Sequence, residues 1–428
     1  MSVISPFRIV GVSSIIALLF IVPAQGQEEA PAPNDTVAAE REVLLERVRV
    51  VPESGTPVIA SEIFVAVDAV GDTLHVPGIA HLSARAIIAP IQEELVARGG
   101  RVEIGVDKGG ARFTLVAAPD LWHEAMRQLI VALFRDPPAD AAVRSERESI
   151  ANELRVREPN PTDVVTRITD QVVFGDDHPW GMPTAGIAET VERLTTDEVD
   201  TYLRTHFLPE RALVAVVGPV DPDEIRSFLR PFLGEDESLR TEVESFEPEE
   251  EPVRAEYPFI TTWITASYLL PPDADFEAIR LMAVLITDRF DFGPRSREVY
   301  NIRGQVRTFG HGGELRLEIV VPPEHADSWE DRLVTAVRDL GRNVLSPTDF
   351  QRVYRQYRGR RLFELLLPEE RAAAHIASLR LLHASGVSDD PLPAEISSER
   401  LREAAGRLPE PVRVQVGPFS RPGEEDEA

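Results

Sequence analysis

The chain has 428 residues, 43% of them hydrophobic, which is enough for two or three domains with real cores and excludes wholesale disorder. Lys+Arg 45 against Asp+Glu 72 gives a net charge of −27, which repels nucleic acid and anionic lipid and removes both as expected partners. Such a surface suits basic or unfolded polypeptide, and equally suits plain solubility. With Cys 0, disulfides, thiolate metal sites and a lipid-modified N-terminal cysteine are excluded.

Taken in chain order, Arg8 and the apolar run Ile9 to Val22 read as a secretory leader, too short to span a membrane comfortably. Ala24-Gln25-Gly26 supplies small residues for cleavage, so residues 1–26 are expected to be removed and the mature chain to be periplasmic or secreted, off the membrane; an uncleaved anchor is the alternative. Residues 27–42 form a flexible acidic lead-in. A first domain is expected over 43–233. It opens with strands at Val48–Val51 and Ile59–Val67, followed by a helix through His81 and Arg85 that Pro90 interrupts. A second helical stretch, Ile91 to Arg98, stops at Gly99-Gly100. Strands at Arg101–Val106 and Arg112–Ala117, helices near 120–135 and 139–157, a buried strand at 212–218 and a helix Pro222–Leu229 capped by Asp221 complete it. Residues 234–253, rich in Glu and Pro, read as an acidic linker. A second domain over 254–418 repeats the order: strand 260–270, helix 275–288, strands near 303–309 and 313–321, helices near 325–344, 347–365 and 369–385, and a final strand 412–418. Residues 419–428 form an acidic tail. The repetition suggests a duplicated α+β unit.

Chemistry concentrates in Gly78-Ile79-Ala80-His81-Leu82-Ser83-Ala84-Arg85, which has the frame of a helical zinc-protease motif, His-x-x-Glu-His. Residues at i, i+3 and i+4 share one helix face. Two imidazoles there bind one zinc, and the carboxylate between them activates the zinc-bound water. This chain keeps His81 but places Ala84 at the base position and Arg85 at the second ligand position. A guanidinium stays protonated and cannot ligate metal. The remaining histidines (His75, His123, His178, His206, His311, His325, His375 and His383) lack ligand spacing, and no nucleophile motif is present.

In this order the residues resemble the pitrilysin/insulinase family of zinc peptidases. Gly78 to Leu82 resembles the family's Gly-Leu-Ala-His start of the zinc helix, and Gly99-Gly100 its double glycine before an edge strand. Glu146-Arg147-Glu148-Ser149-Ile150-Ala151-Asn152-Glu153-Leu154 resembles the Glu-Arg-x-x-Val-x-x-Glu helix that carries the third zinc ligand. His178-Pro179-Trp180-Gly181, Gly186 and Pro209 match further signposts. The resemblance covers roughly Leu45 to Phe232, and 254–418 follows the family's second-domain outline.

The resemblance implies an α+β fold of two homologous domains, each a mostly antiparallel sheet packed against helices. Four such domains close a clamshell chamber, so this chain would supply one half and its partner would be a zinc-bearing homologous subunit or a second copy. Carried over residue by residue, His81 and Glu153 are vestigial ligands, Arg85 replaces a ligand and Ala84 the base, so no metal is expected. Glu153 is free to pair with Arg85 instead. The family's substrate-holding Arg and Tyr correspond to Tyr300 and Arg307, the two residue types exchanged. Glu103-Ile104 replaces an Asn-Ala pair on the edge strand, to which substrate adds by backbone pairing. Glu103, Tyr300 and Arg307 are thus the candidate contacts for peptide or unfolded polypeptide. The implied role is a non-catalytic subunit that helps bind and process peptides; an active metallopeptidase with an unusual site and a stand-alone peptide-binding scaffold are the alternatives.

Overall fold

The computed structural model describes residues 46–67, 76–176, 178–233, 251–291, 298–309, 312–343, 345–385 and 395–419. The expected leader (1–26), the lead-in (27–42), linker residues 234–250 and the tail from 420 lie outside them, as do His75 and His311. The first half runs β1 (Val48–Pro52), β2 (Ile59–Ala66), α1 (Ile79–Ala97), β3 (Arg101–Asp107), β4 (Gly110–Ala117), α2 (Pro119–Phe134), α3 (Asp140–Arg157), α4 (Pro161–Phe174), α5 (Ala188–Arg193), α6 (Thr196–His206), β5 (Ala212–Gly218) and α7 (Pro222–Leu229). The second runs β6 (Val253–Glu256), β7 (Thr262–Leu270), α8 (Phe276–Asp291), β8 (Asn301–Phe309), β9 (Gly312–Val321), α9 (Ala326–Arg342), α10 (Pro347–Glu364), α11 (Pro368–Ser385), α12 (Ser398–Gly406) and β10 (Val412–Gly417).

Each half builds a five-stranded sheet, and the two sheets share one topology: β1-β5-β2-β4-β3 and β6-β10-β7-β9-β8. In each, the first and last strands pair in parallel and every other pairing is antiparallel. The fold is thus the expected α+β duplication, visible in strand order rather than in residue identity. In the first half, α1 and α2 bury Ile79, Leu82, Ile88, Trp122, Met126 and Leu129 against one face of the sheet. In the second, α8 and α9 bury Ile279, Met282, Trp329 and Leu333 in the same way.

The opposite faces are covered by exchange. Helix α11, from the second half, lays Ala372, Ile376 and Leu379 onto Phe64, Leu213, Ala215 and Val217 of the first sheet. Helix α4, from the first half, lays Val165, Val173 and Phe174 onto Val412, Val414 and Val416 of the second. All seven residues of β5 are therefore buried, and its sequence Ala-Leu-Val-Ala-Val-Val-Gly shows no alternation. The described residues from 46 onward belong to one compact unit.

Pro90 does not break the first helix, contrary to the sequence expectation: α1 is continuous from Ile79 to Ala97 with Pro90 inside it. The ring sits on an exposed face, while Ile87 and Ile88 before it and Leu95 after it are anchored in the core. Burial on both sides outweighs the lost hydrogen bond. Pro90→Ala is expected to stabilise the protein by about 1–3 kcal/mol, read from the denaturant midpoint at constant slope. Helices α4, α5, α6 and α12 and strand β6 were not anticipated. The β-branched run of α4 disguises it, but the Asn160 side chain accepts from the Thr162 N–H and caps it as a helix.

Candidate functional site

Two glycines seat the start of α1. Gly78 is its N-cap, in the left-handed region at φ 93. A Cβ there would lie 2.9 Å from the Ala185 carbonyl oxygen, and one on Gly186, at φ 81, would lie 2.7 Å from the Pro77 carbonyl oxygen. The two backbones therefore cross at a distance only glycine permits. This contact fixes where the His81 face of the helix points.

That face meets α3. Arg85 Nε donates to Glu146 Oε2 at 2.7 Å, Nη1 donates to both Glu153 oxygens at 2.9 Å, and Nη2 reaches Ser149 Oγ at 3.3 Å. Glu146, Ser149 and Glu153 are three and four residues apart, so one face of α3 presents all three acceptors to one guanidinium. Burial works to lower the Arg85 pKa, but its two carboxylate partners hold it above the usual value. Burial works to raise the Glu153 pKa, but the hydrogen bonds from Arg85 and Ser149 hold it below the usual carboxylate value. His81, one turn before Arg85, is pushed below the ordinary histidine value by burial first and by the Arg85 charge second. Both effects favour its neutral form.

This donor set does not fit a zinc ion. Of the three ligand positions of the motif, His81 and Glu153 are kept, and Glu153 is committed to Arg85 through both oxygens while the neighbouring Glu146 also binds Arg85. The fixed positive charge of Arg85, bound to Glu146 and Glu153, would oppose a dication at these groups. Ala84 is fully buried in the apolar core, so its position offers no base. Among the described residues, no group of three or more His, Asp or Glu side chains is arranged to hold a metal.

The candidate substrate contacts lie apart from one another in environment. Glu103 is exposed on β3 opposite Thr114, with Arg101 Nε at 3.2 Å from it. Strand β3 is the edge of its sheet, and no described strand pairs on its far side. Tyr300 is 65% exposed, just before β8. Arg307 is not a free donor: its guanidinium binds Asp170 at 2.8 Å and also Glu314.

Asp170 on α4 is the centre of a cluster that the sequence did not reveal. It meets Lys108 at 2.8 Å, Arg307 at 2.8 Å and Arg316 at 2.5 Å, and Arg316 also binds Glu314 at 2.7 Å. Lys108 further donates to the Trp180 carbonyl. Three cations thus face two carboxylates, all but Arg307 nearly inaccessible. Burial pushes the Asp170 carboxyl up, but Arg316, Lys108 and Arg307 together hold it well below the usual range. Burial lowers the Lys108 pKa despite Asp170. The cluster ties α4 and the β3–β4 turn of the first half to β8 and β9 of the second. On the other sheet, Arg380 of α11 answers with Asp107 at 2.8 Å and lies over the Phe64 ring at 4.1 Å.

Beside these ion pairs opens a cleft of 890 Å³ between the two halves. Its walls include Val106, Leu154, Arg167, Phe309 and Ile376. Glu62, 2% exposed, also lines it; burial raises its pKa against the opposing charge of Arg112.

Residues 193–357 match a family model described as the Peptidase M16 inactive domain. An uncharacterized zinc protease of Mycobacterium leprae is 34% identical over 92 residues; that match spans 22% of this chain and 20% of the relative, so the curated relatives are matched over about a fifth of their length. Among solved structures, a Peptidase M16 inactive domain from Pseudomonas fluorescens superposes with a TM-score of 0.70 at 13% identity, covering 88% of this chain and 96% of that one. A chain of complex III from Candida albicans superposes with a TM-score of 0.68 at 13% identity, covering 86% and 93%. These structural likenesses speak to the fold. Over residues 193–357 the chain is thus similar to the inactive domain of the M16 peptidases, the pitrilysin/insulinase group that its motifs resemble.

Proposed function

We propose that this chain is a metal-free, non-catalytic half of a peptidase clamshell, exported from the cell, which pairs with a zinc-bearing homologous subunit and holds extended polypeptide for it. The observation that carries the reading is the Arg85 guanidinium, locked between Glu146 and Glu153, where its charge would oppose a dication. What remains of the site is its scaffold: the glycine crossing, the zinc helix and the open edge of β3. An edge strand pairs with a peptide through backbone groups alone, so binding does not need the lost side chains. The complex III chain supports pairing within this fold, as one component of an assembly.

The test is to assay the purified chain against unfolded peptides, with and without added zinc, alone and co-expressed with a homologue carrying a complete His-x-x-Glu-His. Peptide binding without hydrolysis alone, and hydrolysis in the heteromer, is the expected result. Chelator-sensitive cleavage by the isolated chain would refute the reading.

A further inference from the structure

The turn joining α10 to α11 exposes four large apolar side chains in six residues: Leu362 46%, Phe363 74%, Leu366 65% and Leu367 52%. Leu365, at 6%, anchors the turn from beneath. Arginines crowd the end of α10 that leads into it. Arg355, Arg358 and Arg360 are exposed, and none of them makes an ion pair among the described residues. In a chain of net charge −27, this is a local patch of the opposite sign next to bare hydrocarbon.

Its position gives it meaning. Glu369, two residues past Leu367, binds Arg101 at 2.9 Å, and Arg101 is the first residue of β3. Arg371 binds Glu53 at 2.6 Å, just beyond the end of β1. At its other end α11 is pinned by Arg380 to Asp107, the last residue of β3. Helix α11 thus runs over β5 and β2 in the direction of β3, and the Glu369–Arg101 pair sets the apolar turn at that strand's start. The 890 Å³ cleft, lined by Val106 and Asp107, lies at the strand's finish. A seven-residue strand spans roughly 23 Å. An extended chain paired with β3 would leave the cleft at one end and reach the apolar turn at the other.

We propose that the α10–α11 turn is a side-chain docking site for the polypeptide that pairs with β3, selecting segments with bulky apolar residues beside acidic ones. This deepens the function proposed above and rests on it. The backbone edge of β3 supplies sequence-independent pairing, and Phe363, Leu366 and Leu367 supply a contact for apolar side chains. The unpaired arginines favour neighbouring carboxylates. The exposed apolar area, on the order of 400 Å², is about half of what each partner contributes to a stable protein–protein interface. It suits a peptide end better than a whole subunit.

The test uses the full chain and fluorescently labelled β-forming peptides of about ten residues carrying a Leu-Phe pair and two Glu at one end, made in both chain directions. One direction should bind the wild type, and its backbone N-methylated analogue should not. Phe363→Ser with Leu366→Ser, both at exposed positions, should weaken binding about tenfold or more. Exchanging the peptide's Glu for Lys should weaken it further and flatten its salt dependence. Unchanged affinity in the double variant would overturn this docking site while leaving peptide holding intact. Failure of every peptide to bind the wild type would overturn both. A double variant that changes only the sedimentation of the chain would mark the turn as a contact between copies and overturn the proposal.

Discussion

Asp170→Ala is expected to destabilise the protein by about 3–5 kcal/mol, the cost of stripping a buried ion cluster of one partner. The side chain is 7% accessible and neutralises parts of Lys108, Arg307 and Arg316 at once. Without it, Lys108 would lose its carboxylate partner, and Arg307 and Arg316 would keep only Glu314. Thr169 and Val165 of the same helix are fully buried against the second sheet, but the 890 Å³ cleft opens on Asp170, Lys108 and Arg307 and gives water a way in, which places the cost toward the lower end of that range. Because the cluster joins elements of both halves, the loss should lower one shared transition. It should not split off a minor one. Chemical denaturation followed by tryptophan fluorescence checks this, and Asp170→Asn should fall between the two.

The same residue sets an acid limit. Its folded-state pKa is depressed below the ordinary 3.8. Its contribution to stability is therefore fully present above the unfolded value and is lost as pH falls below it toward the folded one. In Asp170→Ala, stability should depend less steeply on pH in that acid window.

Gly78→Ala is the second large effect, expected at about 3 kcal/mol or more. Two costs combine. The left-handed backbone at φ 93 disfavours any side chain by about 1–2 kcal/mol. The new Cβ would also meet Val191 Cγ2 at 2.7 Å and the Ala185 carbonyl oxygen at 2.9 Å, and the second of these is backbone and cannot rotate away. Relief would require α1 to shift at its first turn, carrying His81 and Arg85 with it. The variant should therefore also loosen the contact to α3, seen as faster amide exchange around Arg85.

Much of this was legible in the sequence because it is local. The double glycine after α1, the Asp221 cap and the strand runs follow from one- and two-residue preferences. The pairing of Glu153 with Arg85 was readable only through the family resemblance, which placed both residues at one site. What escaped has long-range causes. Lys108 sits in a turn and looks like an ordinary solvated lysine; only the fold brings it to Asp170, Arg307 and Arg316. Arg307 read as a substrate contact, yet its partners lie on α4 and β9. Helix α4 was invisible because its valines satisfy a sheet from the other half of the chain, so its pattern answers to a surface far away in sequence. The apolar turn at 362–367 is conspicuous only once burial is known.

The measurement that bears most directly on the account is the metal content of the purified full-length chain, taken after dialysis against excess zinc by elemental analysis. With Arg85 held by Glu146 and Glu153, zinc should stay far below one ion per chain, and heat stability should not change on adding or chelating it. One tightly held zinc per chain, lost with either His81→Ala or Glu153→Ala, would contradict it.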